Sequence, residues 1–293
     1  MNKLLFLGSG SEKDPGFDGV EIEGQPFKDY MKERGIGVVD KVIESCHGCP
    51  ARMKHYSGQM QGLTTQDHRV VAVLEGGLYF ALPSLQATQT TFPIIAVPMD
   101  LPSYQAHILP PGHAAIAGVG VSATRASEDY SNAKDEQKAQ ALTLAERILN
   151  LENPRVNFFP QHECYDKKLR TALQDLGIEF DEGMYQKDAM SLAYGDPTTL
   201  FDQGSFLIRA NPQLNPKKWE SLKDAEWTHH RKSHNKIPTA ETYHPKNLAI
   251  FAAKVLSLQR PELRETIRKI AFDKVDSYPP ERDLVREVRE MSF

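Results

Sequence analysis

His47 is the residue best suited to move a proton. It stands in Glu44-Ser45-Cys46-His47-Gly48-Cys49-Pro50, a tight turn directly after a run rich in β-branched residues. A histidine near neutral pKa can both give and take a proton, which many carbon-acid reactions require. Two glycine turns stand in the same relation to other apolar runs. Gly8-Ser9-Gly10-Ser11-Glu12 follows Lys3–Leu7 and offers backbone N–H groups and hydroxyls suited to an anion or a ribose. Gly76-Gly77 follows Arg69–Leu74 and Glu75, and paired glycines let a backbone approach a ligand closely. Each also has a plain structural reading, as a surface histidine or as a turn that needs positive φ.

Other chemistry-bearing groups are weaker. Cys46 and Cys49 form a C-x-x-C pair, too few ligands for a closed zinc site. A redox dithiol is the lesser reading of that pair. His162-Glu163-Cys164 and the run His229–His234 contain histidines, but His229 and His230 are adjacent and point apart. A solvated basic loop explains that run better than a metal site. Leu109-Pro110-Pro111-Gly112 reads as a rigid entry to a buried strand.

The three turns need a scaffold that gathers strand ends, and the pattern supplies one. Strands are expected at Lys3–Leu7, Gly37–Ile43, Arg69–Leu74, Pro93–Pro98 and Ala114–Val121. Helices are expected from Phe27 to Arg34, Pro50–Gln61, Leu78–Gln89 and Tyr104–Leu109. Ser122–Glu136 shows no apolar periodicity, and a helix with Leu142, Ala145, Ile148 and Leu149 on one face follows it. The strands are continuous apolar runs, so the pattern predicts an α/β fold, a parallel sheet with helices on both faces. In a flavodoxin-like or Rossmann-like sheet, ligands bind at the carboxyl ends of the strands. The second half begins again with strands at Arg155–Phe159, Ile178–Phe180, Ser205–Ala210 and Ile237–Tyr243. Helices are expected around Leu169, over Pro216–Trp227, Pro245–Gln259 and Pro261–Val275, and 181–204 reads as loop. Two domains are expected, 1–150 and 151–293.

Composition narrows the function classes. The 293 residues carry 35 Lys plus Arg against 39 Asp plus Glu, a net charge of −4. That balance argues against a dedicated nucleic-acid partner and gives no reason for an anionic membrane partner. No apolar run approaches the length of a membrane span. Leu4–Leu7 is too short for a secretory signal, so a cytoplasmic location is expected. Three cysteines do not form a disulfide framework.

Taken in order, these features resemble the PurE family, the carboxyaminoimidazole ribonucleotide mutases of purine synthesis. The family opens with strand-GSxSD, matched here by GSGSE with Ser9, Ser11 and Glu12. Its SAHRTPDRM is matched by SCHGCPARM, Ser45 to Met53, which puts His47 on the catalytic histidine and Arg52 on the later arginine. Its AGAGGAAHLPG is matched by VLEGGLYFALPS, which keeps Gly76, Gly77, Leu82 and Pro83. FPIIAVPM and ILPPGHAAIA match two further stretches, so the resemblance runs over about 3–121. Three positions depart from it. Glu12 replaces an aspartate, Gly48 stands where the family has an arginine, and the histidine of GGAAHL has no equivalent.

The resemblance implies an enzyme that moves a carboxylate on an aminoimidazole ribonucleotide, or on a related carboxylated heterocycle. His47 would be the proton shuttle. Ser9, Gly10, Ser11, Glu12, Ser45, Arg52, Gly76 and Gly77 would bind the substrate, and no metal or organic cofactor is required. The contrasting class is a non-catalytic nucleotide-binding paralogue, to which Gly48 and the missing second histidine point. The closing IPTAETYHPKNLAIFAAKVL resembles the family's last strand and helix a second time. Residues 151–293 are therefore expected to be a degenerate second copy. The family's octamer would then become a tetramer of double-length chains.

Overall fold

The computed structural model describes residues 2–10, 16–43, 48–65, 68–76, 82–98, 121–124, 134–152, 154–160, 163–183, 189–194, 206–210, 238–242 and 245–276. In the first half, β1 (Lys3–Ser9) precedes a small antiparallel hairpin of β2 (Glu21–Ile22) and β3 (Gln25–Pro26). Then come α1 (Phe27–Glu33), β4 (Ile36–Ile43), α2 (Pro50–Thr65) and β5 (Arg69–Gly76). They are followed by α3 (Leu82–Gln89), β6 (Ile94–Pro98), β7 (Val121–Thr124) and α4 (Lys134–Leu149). In the second half, β8 (Val156–Phe159), α5 (Glu163–Asp175), β9 (Asp181–Glu182), β10 (Met190–Tyr194) and β11 (Phe206–Ala210) come first. The described chain closes with β12 (Thr239–Thr242), α6 (Pro245–Leu256) and α7 (Glu262–Asp276).

Ten strands form one sheet in the order β4-β1-β5-β6-β7-β12-β11-β10-β8-β9. Counted within each half, the order is 2-1-3-4-5 both times, the flavodoxin-like order. In this sheet all pairs within a half are parallel, and only the seam between β7 and β12 is antiparallel. The carboxyl ends of the two sets of strands therefore lie at opposite edges of the sheet.

The central strands follow the logic that predicted them. Val70, Val71, Ala72, Val73 and Leu74 are all sealed from solvent, because helices cover both faces of β5. On one face α4 packs against β5 and β6 with Leu142, Ala145 and Leu149 buried. Five buried aliphatic side chains in one strand contribute on the order of 10 kcal/mol of burial. Chain entropy offsets most of that gain.

Several elements differ from the sequence expectation. Ser122, Ala123 and Thr124, expected to open a polar connection, continue the strand from Val121 as β7 and pair with β6 and β12. Ile178–Phe180 is not a strand; β9 begins at Asp181. Ile178 is apolar for another reason. Its N–H donates to the Leu173 carbonyl at 2.9 Å and that of Gly177 to Gln174 at 2.9 Å, a Schellman stop with φ +66 at Gly177. Met190–Tyr194, expected to be loop, is the third strand of the second half. The helices expected at Tyr104–Leu109 and Pro216–Trp227, and most of the strand expected at Ala114–Val121, lie outside the described residues.

The halves share more than a strand seam. Lys254 Nζ on α6 donates to the Ala87 carbonyl of α3 at 2.8 Å, and Ser257 Oγ to the Thr91 carbonyl at 3.1 Å. Arg264 on α7 donates to the Thr64 carbonyl of α2 at 2.6 Å. The sheet runs on past the expected boundary near residue 150.

Candidate functional site

β1 is flanked by β4 and β5, so the direction of strand progression reverses there. Such a switch point opens a crevice at the carboxyl ends of the strands. Ser9 pairs with Ile43 of β4 on one side and with Glu75 of β5 on the other. The three turns singled out by sequence therefore leave neighbouring strand ends at one edge of the sheet.

A buried charged node sits at that edge. The Glu75 side chain is 0% exposed and Lys138 2%. Lys138 Nζ lies 2.8 Å from Glu75 Oε2. Ser9 Oγ donates to Glu75 Oε1 at 2.9 Å. Lys138 also donates to the Gly16 carbonyl, and its ammonium lies 5.4 Å from the Phe17 ring centroid. The Gly10 N–H donates to the Glu75 carbonyl at 3.2 Å. The topology explains the node. Residues 5, 7 and 9 of β1 and 71, 73 and 75 of β5 lie in register on one face. Lys138 in the first turns of α4 meets that face.

β4 reaches the crevice through an irregularity. Phe6 pairs with Val39 but Gly8 pairs with Val42, so β4 carries one extra residue against β1. Lys41 sits at φ +58 within that bulge, and its Nζ lies 3.0 Å from Asp18. Bulges of this kind re-aim the strand end beyond them, and here that end leads to His47.

Ser9, Gly10 and Gly76 stand at the carboxyl ends of β1 and β5. The Ser9 hydroxyl is engaged with Glu75 rather than turned outward. Gly76 ends β5 and pairs with Pro98 of β6. Arg52 is exposed on the first turn of α2, with its guanidinium 5.7 Å from the Tyr56 ring centroid and 3.5 Å from the Tyr56 hydroxyl. Ser11, Glu12, Ser45, His47 and Gly77 lie outside the described residues. So does Cys46, while Cys49 is free and exposed.

Sequence reasoning gave Glu75 no role and missed Lys138. Both left a signal. Glu75 is a carboxylate inside an otherwise continuous apolar strand, Val70 to Gly76, and a buried charge needs a partner. Lys138 lies on the buried stripe of α4 with Leu142 and Ala145, where a lysine is out of place.

Among the described residues, no group of three or more His, Cys, Asp or Glu could hold a metal ion. No helix among them is long and apolar enough to cross a membrane. No family model matches the chain, and no curated protein matches it.

Proposed function

We propose that the chain is a PurE-like enzyme of purine biosynthesis. It moves a carboxylate on aminoimidazole ribonucleotide, or on a related carboxylated heterocycle, in the cytoplasm. The observation that carries this reading is the meeting of three strand ends at the switch point. Gly8–Gly10, the segment leading to His47, and Gly76 all depart from neighbouring parallel strands at one edge.

In this reading His47 protonates the exocyclic nitrogen as its bond to the carboxylate carbon breaks and carbon dioxide leaves. The ring carbon then attacks the carbon dioxide, and His47 takes the proton from that carbon. A closed pocket keeps the carbon dioxide in place. The Gly76-Gly77 amides bind the carboxylate or carbon dioxide, and Ser11 and Glu12 orient the ribose or the carboxylate. Gly48 forgoes a guanidinium contact worth roughly 1.5–3 kcal/mol at a phosphate. The related heterocycles belong to the proposal for that reason.

The repeated 2-1-3-4-5 order supports a degenerate duplication, with 151–293 as the second copy. Its first turn reads Pro160-Gln161-His162-Glu163 instead of GSxS, so one active site per chain is expected. A double-length chain in the place of two subunits leads to a tetramer.

The test is to follow carboxyaminoimidazole ribonucleotide incubated with the wild-type protein and with His47→Asn. Conversion by the wild type, reduced at least about 100-fold by the substitution, is expected. Binding seen by calorimetry without turnover would identify the non-catalytic paralogue instead.

A further inference from the structure

We infer that Glu75 and Lys138 are positioning residues that fasten both flanks of the segment carrying Ser11 and Glu12. Their functional importance rests on the reading above, in which that segment meets the substrate. The two flanks are separate in sequence, but the same buried pair holds them. At the near flank, Ser9 Oγ donates to the Glu75 carboxylate and the Gly10 N–H to the Glu75 carbonyl. At the far flank, Lys138 holds the carbonyl of Gly16. The ion pair between Glu75 and Lys138 joins the two anchors.

Gly16 sits at φ +69, a conformation that side-chain-bearing residues rarely adopt. A Cβ there would stand 4.0 Å from Glu75 Oε1, an ordinary contact, so the backbone conformation rather than lack of space calls for glycine. Phe17 is buried beside the Lys138 ammonium. The pair reaches from β5 to α4 and ties Ser9 on one side to Gly16 on the other. An apolar pair of the same volume would fill the core equally well. It could not hold a carbonyl at one flank and a hydroxyl at the other. The node therefore fixes Ser9 and Gly16 relative to each other.

The test uses hydrogen exchange by mass spectrometry on the full chain, with three variants: Lys138→Met, Glu75→Gln and the double variant Glu75→Gln/Lys138→Met. Each single variant leaves a buried polar group without its charged partner, so global stability falls and exchange rises in many places. The double variant removes both charges, and global stability returns toward the wild type. The positioning role predicts that residues 10–17 still exchange at least about tenfold faster in the double variant, while β5 and β6 exchange as in the wild type. Recovery of 10–17 together with global stability would overturn it. Calorimetry with aminoimidazole ribonucleotide forms a second arm. If the wild type binds and the double variant binds at least about tenfold more weakly, the segment positioned is the one that meets substrate. If the wild type does not bind, the reading of the site fails, and the exchange result still decides whether the pair holds the segment.

Discussion

At the scale of single residues, charges inside this protein are costly groups whose partners define their roles. Glu75 and Lys138 form an ion pair, with Ser9 on the carboxylate and the Gly16 carbonyl on the ammonium. Lys254 donates to the Ala87 carbonyl and is fully buried, and that burial holds its pKa down to about 7. The sign of the resulting pH dependence follows directly. In the unfolded chain a lysine titrates near 10.4. Between about pH 7 and 10.4 the unfolded state binds more protons at this site than the folded state. Folding is therefore penalised there, and the penalty fades as pH rises through this window. Replacing Lys254 with Met should raise stability most near pH 7 and least near pH 10. Denaturant unfolding of both proteins at several pH values measures that difference. A difference that is flat with pH would show that Lys254 does not titrate as its burial implies.

At the scale of elements, strands covered on both faces were the most legible. β1, β5 and β6 begin or end within one or two residues of their expected positions because each is a largely apolar run, and β4, an edge strand broken by Asp40 and Lys41, was read from its β-branched residues. What failed to show in sequence was set by partners elsewhere. Ser122 and Thr124 read as polar loop, yet the seam between β6 and β12 makes them strand. Ile178 read as strand, yet its apolarity serves a helix stop. At the site, the ends of β1, β4 and β5 that lead to the glycine and histidine motifs were legible. Lys138 was not, because its partner lies far away in the chain and only the fold brings them together. The β4 bulge was also invisible, since Asp40-Lys41 carries no glycine. Its strain gives a prediction. Lys41→Gly should be neutral or slightly stabilising. Lys41→Val should cost about 1–2 kcal/mol, because a β-branched residue fits poorly at φ +58. Thermal unfolding of the two variants checks this, and equal stability would mean that the bulge relaxes.

At the scale of the whole molecule, two flavodoxin-like sets of strands share one sheet, joined at an antiparallel seam. The contacts of Lys254, Ser257 and Arg264 with the first half bind the sets further. One cooperative calorimetric transition is expected for the full chain, and 1–150 alone should be unstable because its β7 edge and the α3 surface lose their partners. Two resolved transitions would contradict that coupling. The same arrangement places the carboxyl ends of the two sets at opposite edges, so the location of a ligand is decisive. The most direct test of the proposed site is a crystal structure of the full chain soaked with aminoimidazole ribonucleotide. The account predicts the ribonucleotide at the carboxyl ends of β1, β4 and β5, with its imidazole ring beside His47. A ligand bound only at the opposite edge, beyond β8 and β10, or no ligand at a concentration that saturates a competent site, would contradict it.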